Sequence, residues 1–392
     1  MPTTFAGLRG TGSWGDQERP TNFREAVLWL NPNGSAPLTA LLSKTAEEAV
    51  DDPQFSWFEE KLEPLRVKIN YATGFSTTDT TLTIAGSGLL CVPGMVFQVE
   101  KTESSTYDNE HIMISSVTDD TTIVVKRGVA GTPAAPIANN TYLTCLGTAF
   151  PEGTDKPSYA SRNPTRKYNY CQIFETAMGI SWTAQKTYAR TGDPWKNEKR
   201  RKMFDHASQM EFAFIFGKPY EDTSGSQPRR YTGGLRSFIT TNVTIFTTTP
   251  TEDTFLTAVY KVFDYDTQAG NERIVLAGNG ALNSLNKLAR GSGRIEFNDV
   301  VKVYGMQLQR WVLPQGTLLF RSHPLFNVHS RYTYSMIVLD PTSLKYRYLY
   351  DTKFVDNVQT PGKAAREALW YTEAGLEVQH ECTNAYIGNF VV

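Results

Sequence analysis

Residues 197–219 read NEKRRKMFDHASQMEFAFIFGKP. The first half is dense in charge and the second half is apolar. Pro194 stands just ahead, after Asp193, and suits a first helical turn, where its missing N–H is not needed. Gly217, Lys218 and Pro219 make a stop. Between these signals Met203, Ala207, Met210 and Phe214 recur at i, i+4, i+7 and i+11, with Phe204, Glu211 and Ile215 alongside. The spacing predicts one amphipathic helix of about 20 residues, some 30 Å long at about 1.5 Å per residue. Glu211 and Phe214 fall on a flank expected to pack inside the subunit.

The start of this helix is cationic. Lys196, Lys199, Arg200, Arg201 and Lys202 crowd around Glu198. Residues 199–202 cover more than one turn, so they cannot share a face. Cations at a helix N-terminus also oppose its dipole, at a cost of roughly a few tenths of a kcal/mol. Such a run reads either as a solvated helix face or as a contact with phosphates or with acids of a neighbouring subunit. Both readings stay open at this level.

The rest of the chain narrows the context. Its 392 residues are ample for a real core, in two or three domains by size. Lys plus Arg is 39 and Asp plus Glu is 40, a net charge of −1 that argues against a free-standing DNA binder. Cys91, Cys145, Cys171 and Cys382 form no CxxC and match no zinc spacing. They are expected to act as small buried hydrophobes. The opening MPTTFAGLRGTGSWGDQERP has no apolar h-region, and no apolar run reaches about 18 residues. A soluble chain made in a reducing cytoplasm is the expectation.

Residues 1–50 carry Gly, Thr, Ser, Asn and Pro with little periodicity, and read as an N-terminal arm that orders against a neighbour. Within it TALLSKTAEEA suggests a helical turn or two. From 67 to 148 the texture is β throughout: TTLTIAG, MVFQVE, HIMISSV, TTIVVKRG and TYLTCLG, each bounded by turn residues. This reads as a small inserted β-barrel or sandwich. Residues 151–170, PEGTDKPSYASRNPTRKYNY, are polar and Pro-rich, with Arg162, Arg166 and Lys167, and suit an extended excursion. The following CQIFETAMGISWTAQKTYA looks like a strand returning to the body.

After the long helix, LRSFITTNVTIFTT reads as β, and TEDTFLTAVYKVFDYD as a helix capped by Thr251. NERIVLAG is a buried strand, GALNSLNKLA a helix, and RIEF, KVYGMQLQRWV and GTLLFRS are strands. This alternation marks a mixed α/β domain, and the tail from 331 adds long β pieces.

Catalytic chemistry finds little footing. IVLAGNGALNSLNKLA runs a strand into Gly278-Asn279-Gly280 and then a helix, with Glu296 near the distance of a ribose contact. The third glycine position holds Asn283, and no second βαβ half accompanies it. His380-Glu381-Cys382 is the one histidine cluster with other potential ligands, and only His380 and Cys382 would share a strand face. No GxSxG, HExxH or GxxxxGK[ST] occurs. Neither an enzyme, a cofactor nor a metal is expected.

The order of elements carries the remaining signal: arm, Pro-rich excursion, one long helix, loop, helix, buried strand, tight turn, helix, closing strands. Over about residues 45–392 this resembles the major capsid protein of tailed bacteriophages, the α+β Hong Kong 97-type capsid fold. The resemblance makes 195–217 the spine helix of a peripheral domain (51–66 and 149–232) and 151–185 an extended loop reaching over the next subunit. It makes 233–330 an axial domain packing around capsomer centres, with TFLTAVYKVFDYDTQAGNERIVLAGNGALNSLNKLARGSGRIEF as its helix–strand–helix unit. Residues 331–392 supply closing strands to both domains, and AGLEVQHECTNAYIGNF looks like the final peripheral strand. VKRGVAGT (125–132) is similar to a turn pattern in β-domains of phage structural proteins.

The resemblance implies self-assembly into pentamers and hexamers of an icosahedral shell around double-stranded DNA, built in the host cytoplasm. Portal, scaffolding and decoration proteins are the implied partners. The cations Lys196, Lys199, Arg200, Arg201, Lys202, Arg162, Arg166 and Lys167 become candidates for subunit-interface or DNA-backbone contacts. A bacterial encapsulating shell is the alternative on the same fold, and a nicotinamide-dependent oxidoreductase built on Gly278–Gly280 is the alternative outside it.

Overall fold

A computed structural model describes residues 37–42, 46–101, 109–189, 191–292, 299–303 and 306–392. The chain divides into two compact units, one formed by 1–57 with 167–392 and the other by 58–166. In chain order the elements are α1 (Pro37–Leu42), β1 (Ala46–Ala49), β2 (Gln54–Glu59), β3 (Arg66–Lys68), β4 (Thr81–Thr83), β5 (Met95–Val99), β6 (His111–Val117), β7 (Thr122–Val129), β8 (Tyr142–Thr148), β9 (Thr165–Tyr170), β10 (Gln172–Ser181), α2 (Trp182–Lys186), α3 (Pro194–Phe216), β11 (Tyr220–Asp222), β12 (Arg229–Tyr231), α4 (Leu235–Phe238), β13 (Val243–Ile245), α5 (Glu252–Val259), β14 (Glu272–Ala277), α6 (Asn279–Ser292), β15 (Asp299–Val303), β16 (Met306–Val312), β17 (Thr317–Ser322), β18 (Met336–Leu339), β19 (Leu344–Asp356), β20 (Ala365–Val378) and β21 (Ala385–Gly388).

The unit 58–166 is built on a six-stranded sheet in the order β3-β8-β5-β6-β7-β4, with each described pairing antiparallel. Its two edges meet: Ile69 bridges Ile84, and Asn70 N–H donates to the Thr83 carbonyl at 3.0 Å. The sheet is therefore a barrel, which leaves no free edge. Alternation of apolar and polar residues sends Val67, Leu82, Ile84, Phe97, Ile112, Ile114, Ile123, Val125 and Leu143 into one core.

The other unit contains a seven-stranded mixed sheet, β13-β21-β18-β14-β17-β16-β15, and a four-stranded sheet, β1-β19-β20-β10. Strand β14 is buried on both faces, as the run ERIVLA requires. Its Val275 and Ala277 join a core with Phe255 and Val259 of α5 and Leu285 of α6. Its Ile274 and Leu276 face the opposite core, shared with Met210, Phe214 and Ile215 of α3, Phe174 of β10, and Leu376 of β20. Thus α3 lies where the two sheets share a core.

Several elements depart from the sequence reading. The helical turn read in TALLSKTAEEA forms at its start, in α1, whereas Ala46–Ala49 is not helical and pairs in parallel with β19. Residues 37–42, placed in a loose arm from composition, bury Leu38, Leu41 and Leu42 in the core. Residues 1–36 of that arm lie outside the described residues. Within the stretch placed as an extended excursion at 151–185, the strand read at CQIFETAMGISWTAQKTYA forms as Gln172–Ser181, paired residue by residue with β20. LRSF, read as β, forms α4 behind Gly234. The stretch 374–390, read as one strand, is split by a bend at His380: its first part lies in β20 of the four-stranded sheet and its last part in β21 of the seven-stranded sheet.

Candidate functional site

The 23 residues of α3 span roughly 34 Å at 1.5 Å per residue. The Asp193 carboxylate caps the helix, accepting from Trp195 N–H at 2.9 Å and Lys196 N–H at 3.4 Å, and Pro194 occupies the first turn. The helix ends at Gly217, a position with no room for a side chain: a Cβ there would lie 2.3 Å from the Thr232 carbonyl.

The buried face of α3 follows the spaced stripe in its C-terminal half and leaves it at Met203. Met203 is 58% exposed, whereas Trp195, His206, Met210, Glu211, Phe214 and Ile215 are buried. The covered arc swings around the helix. Its N-terminal half rests on the β19–β20 hairpin through Trp195, while its C-terminal half is wrapped by α1, α4 and both sheets. Met203 falls off the arc in the half that is covered on one side only.

The five cations at the helix start therefore have different surroundings. Lys199 is half-buried, its Nζ 3.7 Å above the centre of the Phe354 ring and 5.6 Å from that of Trp370. Arg366 stacks on Trp195 at 4.3 Å and is held by Asp356. These contacts staple the helix to the turn end of the hairpin. Lys202 lies 3.5 Å from Asp205 and Arg201 3.4 Å from Glu198. Lys196, Arg200 and Arg201 are exposed. In the other unit, Arg162 pairs with Glu60 at 2.8 Å and donates to the Lys61 carbonyl, and Arg166 is exposed. Lys167, in the unit that carries α3, is exposed as well.

One turn further along α3, His206 is buried between two hydroxyls: Nδ1 is 3.1 Å from Thr176 Oγ1 of β10 and Nε2 is 2.8 Å from Thr372 Oγ1 of β20. Burial holds its pKa below the ordinary imidazole value of 6.5. The unfolded chain then takes up a proton more readily than the folded one. The ring's contribution is intact above about pH 6.5 and is lost as pH falls through the depressed folded value. We expect His206→Gln to flatten the decline in melting temperature between about pH 7.5 and pH 5. An unchanged acid slope in that variant would mean that other groups set it.

Glu211 is the least conspicuous member of the site in sequence and the most enclosed in structure, at 0% exposure. Its carboxylate accepts four hydrogen bonds: from Leu38 N–H at 2.6 Å, Thr39 N–H at 2.8 Å, Thr39 Oγ1 at 2.5 Å and His323 Nε2 at 2.8 Å. His323 stands at the end of β17, stacked on Phe326, and its Nδ1 has no hydrogen-bond partner among the described residues. The proton therefore sits on Nε2, facing the carboxylate. One side chain joins the N-terminal segment, the long helix and the seven-stranded sheet. The available signal was a carboxylate among the apolar positions Met210, Phe214 and Ile215, which is costly without partners.

The dinucleotide reading of Gly278–Gly280 is overturned by what covers the turn. Asn279 N–H donates to Asn327 Oδ1 at 2.7 Å and Gly280 N–H to Thr333 Oγ1 at 3.2 Å. A Cβ on Gly278 would lie 2.3 Å from the Thr333 carbonyl. The amides a pyrophosphate would need are already taken, and the glycines serve this close approach. Glu296 lies outside the described residues. At 380–382, His380 adopts a left-handed conformation and Glu381 accepts from Thr240 and Thr241, so the three side chains do not converge. Burial pushes the Cys171 thiol up to about 12 and Cys91 to about 11, the behaviour of packed rather than reactive sulfur. No described helix is long and apolar enough to cross a membrane.

Comparison with known proteins supplies the identity. The major capsid protein of Pseudomonas phage PaMx41 is 28% identical over 357 residues, covering 88% of this chain and 83% of that one. Among solved structures, the capsid of a native GTA particle, computed with C5 symmetry, aligns over 97% of this chain and 98% of that one at 10% identity and a TM-score of 0.49. A solved structure described as Mycobacterium phage Bobi aligns over 95% of this chain and 96% of that one, at 10% identity and a TM-score of 0.47. A family model described as SU10 major capsid protein matches residues 3–390, nearly end to end, and the chain belongs to that family.

Proposed function

We propose that this chain is the shell subunit of a tailed double-stranded DNA bacteriophage, and that it builds an icosahedral wall of pentamers and hexamers in the Hong Kong 97-type manner. Membership of a major capsid protein family carries the reading. The long helix packed where two sheets share a core, the exposed Pro-rich segment 151–164 and the absence of open catalytic geometry among the described residues all fit a structural subunit. The bacterial encapsulating shell is not favoured, since the family match is to a phage capsid protein.

On this reading, assembly takes place in the host cytoplasm with portal and scaffolding proteins, and a decoration protein is a further candidate partner. Lys196, Arg200, Arg201, Arg162, Arg166 and Lys167 are the exposed candidates for a neighbour's acids or the phosphate backbone. Lys199 and Lys202 serve first inside the subunit. Contact with DNA would be sequence-independent and weakened by salt.

Negative-stain electron microscopy with light scattering of the purified chain tests the proposal. Closed shells tens of nanometres across, or rings of five or six, are expected. A monomer or dimer at every salt concentration, even when co-produced with the phage scaffolding and portal proteins, would refute it. Combining Lys196→Ala, Arg200→Ala and Arg201→Ala is expected to leave subunit melting within about 0.5 kcal/mol of the parent. It should also make assembly or DNA retention more salt-sensitive. Identical behaviour at all salt concentrations would assign these cations to solvent.

A further inference from the structure

Strand β10 is an edge of the four-stranded sheet. Its register with β20 runs from Gln172↔Ala374 to Ser181↔Ala365 without a bulge, and just beyond it Trp182 N–H donates to the Ala364 carbonyl. Residues of even number therefore bond to β20, and Ile173, Glu175, Ala177 and Gly179 turn their N–H and C=O groups outward. Cys171 has the same parity, and its N–H leaves the sheet for the Pro53 carbonyl at 2.7 Å. Hairpin β11–β12 borders only the start of the edge, where Thr232 N–H donates to the Gln172 side chain at 3.1 Å. From Ile173 to Gly179 the outward groups have no partner among the described residues, and all four residues are exposed.

Folded proteins guard such an edge with lysine, proline, a bulge or a short strand. QIFETAMGIS has ten residues, no lysine and no proline, and its register is unbroken. On the face away from α3, Val355, Leu369 and Ala177 stand side by side in an apolar row that stops at the open edge.

The edge is complementary to itself. Two copies of β10 set antiparallel about a two-fold axis at Ala177 would exchange backbone bonds at their outward residues, Ala177 with Ala177 and Glu175 with Gly179. The apolar row then continues from one copy into the next, and Glu175, the one charged side chain of the strand, faces a glycine. The opposite edge of the sheet is a poorer mate. β1 has four residues, and its consecutive Glu47 and Glu48 would bring an acid onto the face of Glu175 whichever way it paired.

We propose that β10 is a mating edge, which pairs with β10 of a second copy about a two-fold axis at Ala177 and joins two four-stranded sheets into one. That the second copy belongs to a shell rests on the shell-subunit reading above. The pairing itself rests on strand geometry, and the experiment separates the two.

Full-length Ala177→Cys, Glu175→Cys and Ala177→Pro chains are compared with wild type, both unassembled at high concentration and in particles. Cα atoms of a directly opposed, backbone-bonded pair lie about 5.5 Å apart, within disulfide reach. The two copies of residue 175 would lie about 13 Å apart along the strands. Mild oxidation is expected to link Ala177→Cys into a dimer joined at 177, at least about tenfold more than Glu175→Cys. Wild type, with Cys91, Cys171 and Cys382 buried, sets the background. Ala177→Pro removes only an outward N–H, so the subunit should melt within about 5 °C of wild type while particle yield falls at least about tenfold. Should the proline chain fail to fold, the two cysteine variants decide alone. Three outcomes would overturn the proposal: no dimer linked at 177 in either state, equal linkage at 175 and 177, or a folded Ala177→Pro chain with wild-type particles. If the wild-type chain makes no shells at all, the function reading fails, and linkage in the unassembled chain still decides whether β10 pairs.

Discussion

Replacing Arg127 by alanine is expected to destabilise the barrel by about 3–5 kcal/mol, enough to unfold it in the intact chain. Arg127 and Glu110 form an ion pair whose side chains are 6% and 1% exposed, joined by two parallel bonds of 2.7 and 2.8 Å. The guanidinium also donates to the carbonyls of Ser76, Asp79 and Ala135, while Glu110 accepts from the amides of Gly128 and Ala135. One arginine thus ties β7 to three loops. Removing it strands a buried carboxylate and leaves those carbonyls without their donor. Lysine cannot replace the planar fork, so Arg127→Lys should recover little. Burial raises the Glu110 pKa, but the bonds from Arg127, Ala135 and Gly128 outweigh it and hold the carboxyl below its ordinary value. The pair therefore contributes stability above about pH 4.5 that is lost as pH falls through the lowered folded value. Hydrogen exchange resolved by unit checks the prediction: barrel amides should lose protection while β14 keeps it. A melting profile within about 1 kcal/mol of wild type would show that the pair is dispensable.

The second large effect is expected at Phe214. Its ring is fully buried, edge-on to Phe174 of β10 and Tyr346 of β19, both with centroids 6.2 Å away. Phe214→Ala should cost about 3–5 kcal/mol through lost burial and the cavity left behind. Phe214→Asp adds an unpaired buried charge and should abolish soluble subunits and particles together. Denaturant unfolding of the alanine variant and sedimentation of the aspartate variant give the two readings. Normal particles from Phe214→Asp would place this face of α3 outside the core.

Both residues show how far a linear reading reaches. The turn VKRGVAGT is legible because Gly128 and Gly131 have φ of 61° and 75°, and Ala130 reaches 59°, a conformation that glycine tolerates best. Its arginine reads as one more surface cation until the barrel closes around it. Phe214 was correctly placed by helical spacing, but the same spacing put Met203 beside it in the core. Spacing assumes that one face is covered along the whole helix. The sheets and α1 cover different arcs at the two ends of α3.

The candidate cations divide by the same logic. Sequence groups Lys196, Lys199, Arg200, Arg201 and Lys202 as one run, because charge density is a local property. Which of them meets Phe354 and Trp370 depends on a hairpin more than 150 residues away, in that the rings lie at positions 354 and 370 against Lys199.

The sequence by itself determined what local forces decide: the limits of the long helix, from Pro194 and Gly217; the β texture of 67–148, from alternation; the cap at Thr251; and the lack of a nucleophile or metal motif. Tertiary structure alone decided the rest. It put Ala46–Ala49 on a sheet edge, chose β20 as the partner of the strand 172–181, and closed the Gly278 turn with Thr333. It also gave Glu211 its partners from positions 38, 39 and 323. The physical reason is common to these cases. A backbone or charged group is satisfied by whichever donor or acceptor the fold brings within about 3 Å, and chain order does not encode that distance.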